Sequence, residues 1–258
     1  MKKTNIVFGL IILLAAVSCN VPQPKKKGMS VKHNYIVLLD LSDRIIVQPE
    51  QVERDKEIVS ALYSMFEDRV RKNLYVRSRD EIKVVMAPQR GSGLRTEGFE
   101  DKMYINMDKI PNVHRRAQEE ERKAEFNQAL EDLYKKAKFS KNPSDYYGAD
   151  IWKYFYEDLE TDLTHDSLSK NFLIILTDGY PIVGKDRSKL QNVKDSYEDL
   201  TVILIEASPR EKDMEWDHIM DMWSEWFDSM NIKDYTFIKR KAITKEIEQV
   251  KEIVDSKD

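Results

Sequence analysis

An α/β fold with a doubly wound, mostly parallel sheet and helices on both faces is what three features of this 258-residue sequence predict. Short runs rich in Ile, Val and Leu alternate with longer helical stretches, the pattern of a parallel sheet covered on both sides. Those runs lack apolar-polar alternation, as strands buried on both faces do. Two of them, residues 35–39 and 172–177, break into loops at Asp40 and Asp178, so two carboxylates should share the sheet edge where doubly wound folds bind ligands.

Taken in order, strands are expected at 35–39, 82–87, 172–177, 201–206 and 235–238, with 103–107 as a shorter edge strand and one edge strand of the sheet antiparallel. Helices are expected at 49–72, 113–138, 149–159, 212–230 and 244–255. Pro49 falls in the first turn of the first helix, where a missing N–H costs nothing. Trp216, Trp223, Trp226 and Phe227 recur near helical spacing and predict the buried face of the fourth helix rather than an aromatic platform. The charged run 115–123 is expected to be the exposed face of a long helix.

The start of the chain has a different character. Lys2 and Lys3 precede an apolar stretch over 6–17, and Ala16, Val17 and Ser18 lead into Cys19, the only cysteine. This is secretory in form and too short for a durable span. It resembles a bacterial lipobox, which implies a covalent lipid on Cys19; Ala16 in place of leucine is similar to the relaxed lipoboxes of Bacteroidetes lipoproteins. A lone thiol forms no internal disulfide, which agrees with lipid attachment. Residues 20–34, with two prolines and Lys25, Lys26 and Lys27, should form a flexible tether that reaches roughly 50 Å when extended. The expected organisation is therefore a signal peptide at 1–18, a lipidated cysteine and tether at 19–34, and one domain at 35–258. Asn20 after the cysteine, where an inner-membrane retention signal would place aspartate, favours the outer membrane. The formal charge of −4 becomes two units more negative once Lys2 and Lys3 are removed, which argues against a nucleic-acid partner.

The motifs at the two aspartates resemble those of von Willebrand factor A (vWA) domains, whose metal-ion-dependent adhesion site uses strand-Asp-x-Ser-x-Ser, a threonine in a mid-chain loop, and strand-Thr-Asp-Gly. Asp40 and Ser42 match the first motif; Thr177, Asp178 and Gly179 match the last. The resemblance implies Asp40, Ser42 and Asp178 as metal ligands, which Asp43 and Asp150 could join, and Mg²⁺ or another divalent cation as cofactor. Two positions depart from the pattern: Arg44 replaces the second serine, and Ala149, in the loop 147–151, replaces the threonine. Carboxylates crowded there need a cation or a shared proton. Either a metal held by Asp40, Ser42, Asp178 and waters supplies the charge, or the guanidinium of Arg44 neutralises Asp40 or Asp178. In a third reading the two aspartates only cap the helices after their loops.

Nothing else in the sequence has the form of a catalytic centre. His33, His114, His165 and His218 have no ligand spacing and are expected at the surface, Thr177-Asp178-Gly179 lacks a nucleophilic serine, and no phosphate loop follows a strand. The polar loop 88–98, with Gly91, Ser92 and Gly93, could touch a partner. The first expectation is a membrane-anchored binding module for a protein ligand or envelope assembly; a metal-dependent hydrolase or phosphoryl-transfer enzyme, and an envelope scaffold without a working ion site, stand as alternatives.

Overall fold

The computed structural model describes residues 30–90, 94–139, 148–182, 187–190, 195–207 and 213–257. The apolar leader, Cys19, Lys25, Lys26, Lys27, Gly91, Ser92, Gly93 and Tyr147 lie outside the described residues. Among the described residues no helix is long and apolar enough to cross a membrane.

Six strands form one sheet: β1 (Lys32–Leu39), β2 (Glu81–Met86), β3 (Tyr104–Asn106), β4 (Ser169–Leu176), β5 (Leu200–Ala207) and β6 (Asp234–Lys239), in the order β3-β2-β1-β4-β5-β6. All neighbours are parallel except β2 and β3. Five principal helices cover it: α1 (Gln51–Lys72), α2 (Arg115–Phe139), α3 (Ile151–Glu157), α4 (Asp213–Ser229) and α5 (Ile243–Asp255).

Strand period two sorts the central residues into two cores. Tyr35, Val37 and Leu39 of β1, with Ile174 and Leu176 of β4, pack under Ile58, Leu62 and Phe66 of α1, Phe126 and Leu130 of α2, and Val250 of α5. Ile36 and Leu38 face the other way, with Leu173 and Ile175, against Tyr154 and Phe155 of α3 and Trp223, Trp226 and Phe227 of α4. Each such side chain contributes about 1.5–3 kcal/mol by leaving water, which explains why both faces must be apolar. The aromatic face of α4 is buried as expected, Trp216 included.

Several boundaries and exposures differ from expectation. Lys32, His33 and Asn34 pair in register with β4 and belong to β1 instead of a tether, because Asp80 and Asn171 accept bonds from their polar groups. Pro49 lies in the turn before α1, with Glu50 as N-cap. The edge strand shrinks to three residues between 3₁₀ turns at Asp101–Met103 and Met107–Lys109. Within the run 115–123, Arg115 and Glu119 are buried: Arg115 donates to loop carbonyls, and Glu119 accepts from Tyr63 Oη at 2.9 Å. His33 is buried too, its Nδ1 3.0 Å from Tyr35 Oη and its ring against Phe172; the other three histidines are exposed.

The sheet order reverses between β1 and β4. From β1 the chain moves outward to β2 and β3, then crosses back to β4 and continues outward to β5 and β6. Crevices at carboxyl ends of strands open at such a switch point, and Asp40 and Asp178 follow these two strands.

Candidate functional site

Local hydrogen bonds fix the loop after β1. Asp40 N–H donates to Leu176 O at 3.0 Å, which extends the β1–β4 ladder by one step before the chain turns. Asp40 Oδ1 then accepts from Ser42 N–H at 2.8 Å, a self-closing aspartate turn, and the single helical turn Arg44–Val47 follows. Across the switch point, Thr177 Oγ1 donates to Asp40 Oδ2 at 2.8 Å and accepts from Gly179 N–H at 3.2 Å. Gly179 has φ 121°, a conformation side chains disfavour, and its carbonyl accepts from Trp223 Nε1 at 2.8 Å. The buried face of α4 thus holds the turn that carries Asp178.

Arg44, only 1% exposed, turns inward beneath this corner. Its Nε donates to Asp40 O at 2.7 Å and lies 4.0 Å from Asp40 Oδ2; its Nη2 donates to Leu176 O at 3.3 Å. The fork of the guanidinium engages Asp55 of α1, at 3.2 Å to Oδ1 and 2.7 Å to Oδ2. Burial pulls the Arg44 pKa down, but the charges of Asp55 and then Asp40 outweigh it and hold the guanidinium above its ordinary value, so it stays charged. Burial pushes the Asp55 carboxyl up against the pull of Arg44, Gln51 and Tyr134. Gln51 Nε2 and Tyr134 Oη complete its shell, each at 2.8 Å.

Asp40, Ser42 and Thr177 meet at the switch point, while Asp178 is close enough for its charge to act on Arg44. Asp43 is half-buried, heads the turn Arg44–Val47, and makes no capping bond with its side chain. Asp150 sits on a loop tied to the Asp178 loop by Trp152 N–H donating to Pro181 O at 3.0 Å. Its carboxylate is engaged by Arg90 and by Trp152 Nε1. Ala149 bridges to Gln89 and offers no hydroxyl. Neither aspartate serves as a helix N-cap: Asp40 closes its own turn, and no helix starts within the turn after Asp178.

A divalent ion would find few free oxygens here. Both Asp40 oxygens already accept bonds, a buried guanidinium lies beside one of them, and Asp150 is ion-paired. Among the described residues no group of three or more His, Cys, Asp or Glu could hold a metal ion. A divalent ion at this corner would have to compete with the fixed charge of Arg44 beside Asp40.

Asp55, Gln51, Tyr134 and Arg90 were not legible as site residues from motifs. Asp55 had one signal: it falls in phase with Ile58, Val59 and Leu62 on the apolar stripe of α1, so an ionised group there needed a buried partner.

The mostly parallel sheet with one antiparallel edge strand, its switch point between β1 and β4, and the two aspartate loops at that point decide the family likeness. The fold is von Willebrand factor A-like. No family model matches the chain, and no curated protein matches it. Solved structures do align. BatB from Bacteroides thetaiotaomicron is 13% identical, with 88% of this chain and 100% of that one covered at a TM-score of 0.40. An aerotolerance-related membrane protein from Bacteroides fragilis is also 13% identical, with the same coverage and a TM-score of 0.42. Proximal thread matrix protein 1 from the mussel byssus, in a form with a zinc-occupied adhesion-site motif, is 14% identical at a TM-score of 0.42, with 88% of this chain and 48% of that one aligned. The vWA-like chain spans about half the length of the mussel protein.

Proposed function

We propose that this chain is a membrane-anchored, vWA-like binding module that presents the carboxyl edge of its sheet to a protein partner at the cell envelope, with Cys19 as lipid attachment point and the outer membrane as its location. The observation that carries the reading is the composition of that edge. Asp40 and Asp178 stand at the switch point beside the guanidinium of Arg44, and exposed Val47 (55%) and Tyr180 (40%) flank them on the two loops. Apolar and aromatic side chains around a buried polar centre are the anatomy of a protein-binding patch. The buried guanidinium of Arg44 supplies positive charge at the base of the site, so partner capture needs no metal.

Pull-down from detergent-solubilised membranes tests this. Capture of a discrete partner by the wild type, equal with and without chelator and lost in Asp178→Asn with Tyr180→Ala, is expected. Equal capture by the double variant would remove the carboxyl edge from the interface, and loss with chelator would restore a metal to the site.

A further inference from the structure

Three exposed apolar side chains crowd one corner of the opposite, amino edge. Leu74 (64% exposed), Val76 (51%) and Val113 (89%) stand on the loops that lead into β2 and away from β3. Arg115 stitches these loops into one unit: its Nη1 donates to Tyr75 O at 3.0 Å, Val76 O at 3.2 Å and Ser78 O at 2.6 Å, and its Nε to Ile110 O at 2.9 Å. Leu74 and Tyr75 both take positive φ, 54° and 55°, so the loop carries Leu74 outward against its own backbone preference.

Basic side chains surround this corner, with acids interspersed. Lys72, Arg77 and Lys109 are exposed beside the apolar residues; Arg71 and Arg116 are exposed as well, paired with Glu67 and Glu120. Asp108 lies among them, within reach of Arg79 and Lys32, and Asp68 is exposed one turn before Lys72. The other end of the same edge, below β4 and β5, carries exposed Glu160, Glu198 and Asp199.

The described chain also starts here. Ser30 Oγ donates to Arg77 O at 2.6 Å, which puts the first described residue against the loop of Leu74 and Val76. Residues 20–29 separate it from Cys19, a contour of at most roughly 35 Å.

We infer that this corner rests on an anionic lipid surface, with Leu74, Val76 and Val113 entering the headgroup boundary and Lys72, Arg77 and Lys109 meeting phosphates. The inference rests on the reading of Cys19 as the lipid anchor. The domain leans on its β2–β3 corner, the acidic end of the edge tilts away, and the Asp40–Asp178 crevice faces outward at the far ends of the strands, roughly 26 Å off for an eight-residue strand.

The test uses the full lipidated chain in vesicles of phosphatidylethanolamine and phosphatidylglycerol. Lipidation occupies Cys19, the only native thiol, so Leu74→Cys, Val113→Cys, Glu198→Cys and Tyr180→Cys each carry a single nitroxide. Flotation reports the anchor; relaxation by oxygen against a polar reagent reports immersion. We expect labels at 74 and 113 to show a several-fold higher oxygen-to-polar ratio than labels at 198 and 180. Flotation with all four labels equally water-exposed overturns the inference and leaves the anchor standing, as would lipid contact at 198 or 180 instead. Failure to float removes the anchor reading and the inference together.

Discussion

Arg44 stands where the vWA pattern carries a second serine, and its guanidinium works inside the fold instead of at the surface. The chain exchanges a hydroxyl ligand for a buried ion pair whose partner, Asp55, comes from the next helix. Removing one member of such a pair leaves the other buried and unmatched, a loss on the order of 3–5 kcal/mol. Arg44→Ser should therefore lower the thermal midpoint sharply, whatever it does for metal affinity. Arg44→Ser with Asp55→Asn should recover part of that loss, since a neutral amide can still accept from Gln51 through its oxygen and donate its N–H to Tyr134 Oη. Equal melting of the single and double variants would mean that the pair is not coupled. In the double variant the competing charge is gone and a serine restored, so Mg²⁺ affinity measured by calorimetry should rise; a tenfold gain corresponds to about 1.4 kcal/mol.

At the scale of elements, the attachment of α5 to the end of β5 is electrostatic as well as apolar. Glu206 sits at a register shift in the β5–β6 pairing with φ 67°, and its carboxylate accepts from Gln51 Nε2 at 3.0 Å and is ion-paired with Arg54. Arg54 also reaches Glu246 of α5 at 3.1 Å. Burial, with the charge of Glu206 beside it and against the backbone N–H of Lys241, pushes the Glu246 carboxyl from 4.5 up to about 7. The folded state then keeps a proton that the unfolded chain has released. The stability this confers is full below about 4.5 and is lost as pH rises through about 7. Glu246→Gln should thus melt higher than wild type above neutral pH, with the gap closing as pH falls toward 4.5. A gap that stays constant across that range would show that Glu246 does not titrate there.

For the whole molecule, the proposed function and the inferred membrane contact assign different roles to the two ends of the sheet: chain entry and the apolar corner with its basic residues at the amino edge, the Asp40–Asp178 crevice at the carboxyl edge. That polarity has meaning only if the chain is held to a surface, so Cys19→Ser should release the protein from membranes or leave it unprocessed. Persistence of a mature-length, lipidated Cys19→Ser species in the membrane fraction would sink the anchor.

Strand and helix identity were set locally. The run 35–39 and the stripe of Trp223, Trp226 and Phe227 marked their own buried faces, whereas the strand order that brings Asp40 beside Thr177 is seen only in the folded sheet. Boundaries followed less well where polar residues extend an element: Lys32 and His33 join β1 because Asp80 and Glu81 receive them across the sheet. The inward turn of Arg44 was beyond local reasoning, because its destination, Asp55, lies on a helix whose placement is fixed by packing. Likewise, Asp150 looked like a candidate ligand until the fold set Arg90 against it. The sequence alone determined the architecture and the shared edge for the two aspartates, since hydrophobic period and turn chemistry are properties of neighbours along the chain. Only the tertiary structure decided which charges pair, because the partner of a buried charge is chosen by whatever packing brings within hydrogen-bond reach.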